Sequence, residues 1–176
     1  MFKKKLIKNN KLMRGFSLLE ILIYISVLVL VLFIVINTTL MMFDSYANIK
    51  MSQRINQTAS GILERVVVET KWSRGLAVSG NVFNSDSGAL VLSVVDDEGN
   101  FSEKKFFLEG SDLKMMEGVD VVTLNLPGVS VNRFYLSLVD NGISKLVKIE
   151  MDLSTQRKDI VKSETFYNSV VMREIY

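Results

Sequence analysis

The sequence predicts an α+β protein in which a long N-terminal helix packs on an antiparallel β-meander. Three observations lead to this prediction. A strongly apolar run covers residues 21–36, apolar residues then recur at helical spacing as far as Trp72, and from Ser73 onward apolar residues alternate with polar ones. The chain of 176 residues has room for one such domain and an appendage.

The composition excludes several classes of site. The sequence contains no cysteine and no histidine. Disulfides, thiolate nucleophiles and Cys zinc sites are therefore excluded, as is a Ser-His-Asp triad. Because histidine is absent, the sequence also lacks the commonest general base and the commonest metal ligand. No catalysis and no cofactor are expected, although a carboxylate-only enzyme is compatible with the composition.

Positive charge is concentrated at the N-terminus. Residues flanking an apolar helix stay on the cytoplasmic side of the membrane when they are basic. The N-terminus is therefore expected in the cytoplasm, with the bulk of the chain across the membrane. Residues 1–15 contain no acidic residue and six basic ones, which are Lys3, Lys4, Lys5, Lys8, Lys11 and Arg14.

The apolar segment that follows is long enough to cross a bilayer. Residues 16–36 at 1.5 Å each span about 31 Å, and a hydrocarbon core is about 30 Å thick. A secretory signal peptide has a shorter core and an A-x-A-like cleavage site, which this segment lacks. A plain uncleaved anchor explains the length but not Glu20, the only charged residue between Gly15 and Phe43. A charge at helix-centre depth costs about 2.5–3.5 kcal/mol, so this carboxylate calls for a partner.

The residues around Glu20 form a motif. Arg-Gly-Phe-Ser-Leu-Leu-Glu at residues 14–20 closely resembles the processing site of type IV pilins and pseudopilins. In that family, prepilin peptidase cuts after the glycine that ends a basic leader, and the new N-terminal residue is N-methylated. The resemblance implies cleavage between Gly15 and Phe16 and methylation of Phe16. It also implies that Glu20, as fifth mature residue, meets the N-terminal amine of a neighbouring subunit during assembly.

Cleavage would change the charge of the protein. The intact chain has a formal net charge of +2, whereas the mature chain would carry 15 basic and 19 acidic side chains, a balance of −4. The predicted organisation is a removed leader over residues 1–15, a transmembrane assembly helix over 16–36, an amphipathic helix over 37–72 and a β-domain over 73–176. The basic residues then serve membrane topology and do not indicate a nucleic-acid partner.

The second half of the helix is predicted from apolar spacing. Its polar face is expected in solvent and its apolar stripe against a folded partner. Many members of the family carry a proline where Asn37 stands, and Asn37-Thr38-Thr39 is a patch of weak helix propensity. The apolar positions of the predicted stripe are Met42, Tyr46, Ile49, Ile55, Ala59, Ile62, Leu63 and Val66.

Strands are predicted from alternation and turn residues. The first half of the β-domain is assigned strands over residues 89–95, 101–108, 119–126 and 129–139. Asn141-Gly142 then predicts a tight hairpin with positive φ at both central positions.

The second half of the β-domain is expected to contain two more strands. One follows the hairpin over residues 143–153, and a polar loop covers residues 154–159. The last strand is expected over residues 164–175. The whole predicts a meander of about five to seven strands.

One turn of the β-domain is also a weak candidate for a calcium site. Asp96, Asp97 and Asn100 carry oxygen ligands, but the five residues from Asp96 to Asn100 fall short of a coordination loop. A hairpin turn is the favoured interpretation, so no metal is expected.

The resemblance implies a structural subunit of a type IV pilus, type II secretion or competence filament. Its expected partners are other pilin-like subunits, prepilin peptidase, the inner-membrane assembly platform and membrane lipid. It is expected as a single-pass protein of the cytoplasmic membrane with an extracytoplasmic β-domain, later part of the filament. The lack of cysteines and the C-terminal strand run resemble minor pilins and minor pseudopilins. The presence of Glu20 argues against the extreme tip position.

Two alternatives stay open. One is a membrane-anchored extracytoplasmic ligand-binding or enzymatic domain with an uncleaved anchor. The other is a DNA-binding minor pilin of an uptake machine, which a basic stripe on the assembled surface would support. Scattered basic residues next to Phe106, Phe134 and Tyr135 could mimic a nucleic-acid surface. The mature balance of −4 favours solvated faces over a nucleic-acid surface, so nucleic acid is not expected as a partner.

Overall fold

The computed structural model describes residues 17–95, 99–142, 144–158 and 160–172. In these residues one long helix is followed by strands only, which confirms the predicted α+β class. The elements are α1 (Leu18–Trp72), β1 (Gly75–Leu76), β2 (Ala89–Val95), β3 (Phe101–Glu109), β4 (Asp112–Glu117), β5 (Asp120–Thr123), β6 (Val129–Asp140), β7 (Lys145–Arg157) and β8 (Ile160–Met172).

The chain divides into two compact units, and the boundary falls within α1. The N-terminal unit is Met1–Tyr46 and the globular unit is Ala47–Tyr176. The described part of the N-terminal unit is helical from Leu18 to its end. The globular unit holds the rest of α1 and all of the strands.

The strands form two antiparallel sheets. One has the order β1-β2-β3-β4-β5 and the other the order β6-β7-β8, so each is a meander in which sequence neighbours pair. The prediction expected about five to seven strands, and the described residues contain eight. A β-bulge between Val131 and Arg133 interrupts the register of β6 and β7.

The core of the globular unit lies between α1 and both sheets. The helix contributes Ile55, Ala59, Ile62 and Val66, which are at most 1% exposed. These positions recur at helical spacing, which places them on one face. The same buried cluster includes, from the sheets, Leu90, Leu92, Phe106, Leu113, Phe134, Leu136, Ile149 and Leu153.

The predicted helix stripe is correct from Ile55 onward and wrong before it. Met42, Tyr46 and Ile49 are exposed, whereas Ala47 and Met51 are buried. Ala47, Met51, Ile55 and Ala59 follow one another at a spacing of four residues, so they continue one face of the helix. The three large residues were expected on that face because of their hydrophobicity, but their positions lie beside it.

Two strand predictions need correction in the five-stranded sheet. The structure has β4 at Asp112–Glu117, which the sequence prediction missed, and β5 is shorter than the predicted strand over residues 119–126. Gly110 and Gly118 adopt positive φ of 64° and 62°, so tight turns close both ends of β4. The polar residues of β4 obscured its alternation.

Two further corrections concern β7 and β8. Residues 154–157, predicted as loop, continue β7, and β8 begins at Ile160 and not at residue 164. Thr155 keeps the inward alternation of β7, and its buried hydroxyl donates a hydrogen bond to the carbonyl of Gly128 at 2.7 Å. A polar residue with its hydrogen bond formed thus occupies an inward position of the strand, where the sequence prediction placed a loop.

The Asn141-Gly142 hairpin is confirmed as a connection, with a longer loop than predicted. The ladder between β6 and β7 ends at the pair Asp140 and Lys145, and Gly142 adopts a φ of 79°. The φ of Asn141 is not positive, contrary to the prediction. The Asp140 carboxylate accepts a hydrogen bond from the Gly142 amide at 2.9 Å.

Candidate assembly site on the N-terminal helix

Helix α1 begins immediately before Glu20. The carbonyl oxygen of Ser17 accepts hydrogen bonds from the amides of Glu20 at 3.0 Å and Ile21 at 3.2 Å, which opens the helix. Glu20 is the acidic residue of the first turn. A negative charge at this position is favoured by the helix dipole and the free amides of the first turn.

The Glu20 carboxylate is half-buried, and its described hydrogen-bond partner is a neutral group. The hydroxyl of Tyr24, one turn further along, donates to Oε1 at 3.3 Å. No cationic side chain of the described residues forms an ion pair with it. Among the described residues, the Glu20 carboxylate is thus hydrogen-bonded but not ion-paired.

The helix around Glu20 is long and apolar enough to cross a membrane, judged by length and composition. From Leu18 to Phe43 the large hydrophobic side chains are exposed. An apolar surface on all sides of a helix is typical of a segment that lies in lipid or inside an assembly. A long apolar helix near the N-terminus that fits a membrane anchor, followed by a β-domain, is thus what the structure establishes.

The polar side chains of this segment bond to the backbone of their own helix. The Ser26 hydroxyl donates to the Leu22 carbonyl at 2.8 Å, and the Asn37 amide donates to the Phe33 carbonyl at 3.0 Å. The hydroxyls of Thr38 and Thr39 donate one turn back in the same way, each at 2.8 Å. The helix runs unbroken through the patch of weak propensity.

A second carboxylate of the same helix, missed by sequence reasoning, is fully paired. Glu69 is 8% exposed and accepts from Arg65 at 2.9 Å and from Lys104 at 3.0 Å. Lys104 also lies 3.2 Å from Glu117. Burial lowers the pKa of Lys104, but the hydrogen bonds to Glu69 and Glu117 outweigh it and raise the pKa above its ordinary value. The sequence does contain a sign of this buried carboxylate, because Glu69 continues the helical spacing of the buried stripe.

The other predicted site residues fall mostly outside the described residues. Gly15, Phe16 and the basic leader residues precede residue 17, and Asp96 and Asp97 lie in the gap between Val95 and Gly99. Asn100 is described and exposed. Within the described ranges no group of three or more acidic side chains is placed to hold a metal ion.

Two of the three aromatic residues considered for a nucleic-acid surface are not available for contact. Phe106 and Phe134 are fully buried in the core, so neither can stack on a base. Of the three aromatic residues considered, Tyr135 alone reaches the surface, where its exposure is partial. Phe106 and Phe134 therefore cannot contribute to a stacking surface for single-stranded nucleic acid.

Comparison of the chain with protein-family models, with curated proteins and with solved structures finds no match.

Proposed function

We propose that the chain is a structural, pilin-like subunit of a filament of the type IV pilus, type II secretion or competence class. Prepilin peptidase cleaves it after Gly15 and N-methylates Phe16. The mature helix then packs with the helices of neighbouring subunits. A minor subunit is the favoured position, since the chain has no cysteine for a disulfide-bounded loop.

One observation carries the proposal. The motif at residues 14–20 coincides with the start of α1, so its glutamate stands in the first turn of a membrane-length apolar helix. The motif would carry little weight in a loop or in a soluble helix. Its position between six basic residues and this helix is the arrangement that processing by prepilin peptidase requires.

The electrostatics of Glu20 support the same proposal. Cleavage would release an α-amine at Phe16, close in sequence to a carboxylate whose described partner is a tyrosine hydroxyl. Opposite charges attract strongly in a medium of low dielectric constant, which offsets part of the cost of removing both from water. The amine of a neighbouring mature subunit would therefore complete the site.

Intact mass tests the processing step. The full chain is expressed with and without prepilin peptidase and extracted from membranes. With the peptidase, we expect a mass that lacks residues 1–15 and carries one added methyl group. Gly15→Val is expected to stay at precursor mass, whereas Gly61→Val, at an exposed helix glycine with no atom near its Cβ position, should be cleaved normally. A wild-type mass that starts at Met1 would refute the proposal.

Cross-linking tests the assembly step. Glu20→Gln should be cleaved like the wild type but should lose at least tenfold in recovery of cross-linked oligomers, because an amide cannot pair with the amine. Glu64→Gln is the matched control, since Glu64 is an exposed glutamate of the same helix. Equal oligomer yields from both variants would remove Glu20 from the assembly site.

A further inference from the structure

The outer face of the three-stranded sheet carries an open cavity of about 480 Å³. Its lining is unusual for a solvated sheet face, because two tyrosines stand beside a carboxylate, an ammonium group and two hydroxyls. The residues that matter here are Tyr135, Ser137, Lys148, Glu150, Tyr167 and Ser169.

Strand register places these residues in two adjacent rows. Tyr135 pairs with Glu150, which pairs in turn with Tyr167, so the tyrosines flank the carboxylate. Two strand spacings separate the tyrosines, about 10 Å. The neighbouring row is formed in the same way by Ser137, Lys148 and Ser169. An aromatic row and a hydrogen-bonding row therefore run side by side across the sheet.

The ring of Tyr135 is held in place before any ligand arrives. The guanidinium of Arg133 lies 4.8 Å from its ring centroid. Arg133 itself is fixed by ion pairs with Asp86, at 2.6 Å, and with Glu150. The hydroxyl of Tyr135 donates to Asn84 at 3.3 Å. Hydrogen bonds to Asp86 and Glu150 raise the pKa of Arg133.

The two tyrosines differ in exposure. Tyr135 is half-buried within this network, whereas Tyr167 is 70% exposed. Because the network holds the Tyr135 ring in place, a ligand can contact this ring at small conformational cost, and the exposed Tyr167 ring offers a second apolar contact across Glu150. Polar groups between and beside the rings can orient a ligand through hydrogen bonds, as polar groups commonly do in small-molecule sites.

The charges near the cavity select against a polyanion. Arg133 and Lys148 are opposed by Asp86, Glu150 and Asp152. Nucleic-acid sites depend on an excess of cationic groups that neutralise phosphates, and this face has none. A neutral ligand with an apolar face and many hydroxyl groups matches the lining.

We propose that this cavity binds a neutral oligosaccharide. The apolar C–H faces of its sugar rings stack on Tyr135 and Tyr167, and its hydroxyls bond to Glu150, Lys148 and the two serines. The span between the tyrosines suits a short run of sugar rings across the strands. The site is independent of cleavage at Gly15, so it belongs to precursor and mature chain alike.

Saturation-transfer NMR tests the site on the full chain in dodecylphosphocholine micelles, because a sugar-headed detergent would compete. The ligands are chitotetraose and cellotetraose. We expect saturation transfer to the ring protons of at least one of them, and at least tenfold weaker binding for Tyr167→Ala. Tyr46→Ala is the matched control, since Tyr46 is 64% exposed and lies outside the cavity.

A second variant tests the support of the fixed ring. Arg133→Lys keeps the charge but loses the planar stack and the paired contacts, so affinity should fall while unfolding by urea changes little. Absence of binding by both tetrasaccharides would overturn the proposal, as would equal losses in Tyr167→Ala and Tyr46→Ala. Binding of an oligothymidylate that Tyr167→Ala abolishes would also overturn it in favour of nucleic acid. The mass of the processed chain affects none of these outcomes.

Discussion

The two halves of α1 differ in hydrophobic content and in the burial of their hydrophobic side chains. Residues 18–46 contain 22 hydrophobic residues and expose the large ones, whereas residues 47–72 contain 11 and bury one stripe in the core of the globular unit. The pattern differs as well, because polar residues such as Gln53, Arg54 and Glu64 separate the stripe of the second half. Hydrophobic content alone thus indicates a need for burial, and the pattern indicates whether the chain itself provides it.

The two carboxylates Glu20 and Glu69 repeat this contrast. Glu69 receives two cations from its own chain, while the described partner of Glu20 is the Tyr24 hydroxyl. In the described residues, the second half thus pairs its buried carboxylate with two cations, whereas the first half exposes its hydrophobic side chains and has a neutral partner for Glu20.

The largest expected effect on stability comes from mutations that compare burial in the two halves of α1. Ile62→Ala should lower the free energy of unfolding of the globular unit by about 3 kcal/mol, because Ile62 is 1% exposed and its loss leaves a cavity. Ile34→Ala, at a position 54% exposed, should change it by less than about 0.5 kcal/mol. Pulse proteolysis in urea on the micelle-bound chain measures both. Similar losses in the free energy of unfolding for the two variants would contradict the difference in burial between the two halves of α1.

The next effect concerns the paired carboxylate. Lys104→Met should cost about 2 kcal/mol near neutral pH, because Glu69 would keep only its bond to Arg65. Lys105→Met is the matched control, since Lys105 lies over the Phe107 ring at 5.2 Å and has no described acid partner. Urea titration of both variants provides the comparison.

The pKa of Lys104 predicts the pH dependence of this effect. Its pKa is raised in the folded state, so its stabilisation is present in full below the ordinary value of 10.5 and is lost as pH rises through the folded value. The difference in stability between wild type and Lys104→Met should therefore be constant from pH 7 to pH 9 and shrink only as pH rises past 10.5. A gap that widens in alkali would contradict the assigned pair.

A smaller effect of opposite sign tests the exposed face of the second half. Gly61→Ala should raise the free energy of unfolding by about 1 kcal/mol, because no atom lies within 4 Å of its Cβ position and alanine favours the helix. Ser60→Ala, at the exposed neighbouring position, should raise it by about half as much. A destabilised Gly61→Ala protein would show that this face has a partner.

The smallest effect tests the first half. Thr38→Val should change the free energy of local opening of this helix by less than about 0.5 kcal/mol, because the Thr38 hydroxyl bonds only to the Ile34 carbonyl of its own helix in the described residues. Amide hydrogen exchange measures this free energy. Thr39→Val should behave alike for the same reason. A larger loss in assembled protein than in micelles would assign the hydroxyl a partner in another subunit.

Sequence reasoning predicted well what depends on regular periodicity. The long helix, β2, β3 and β6 follow directly from spacing. It failed where a polar residue serves an inward role, as Thr155 and Glu69 do, since their partners are distant in sequence. The cavity between Tyr135 and Tyr167 depends on strand register, which composition does not reveal.

The hydrogen bonds of the first half of α1 have a consequence for transfer between environments. Tyr24, Ser26, Asn37, Thr38 and Thr39 each direct a polar group to an atom one turn back in their own helix. Such a segment satisfies these polar groups within its own helix. The bonds of Ser26, Asn37, Thr38 and Thr39 end on the backbone of their own helix, so they need no partner from the medium around the segment.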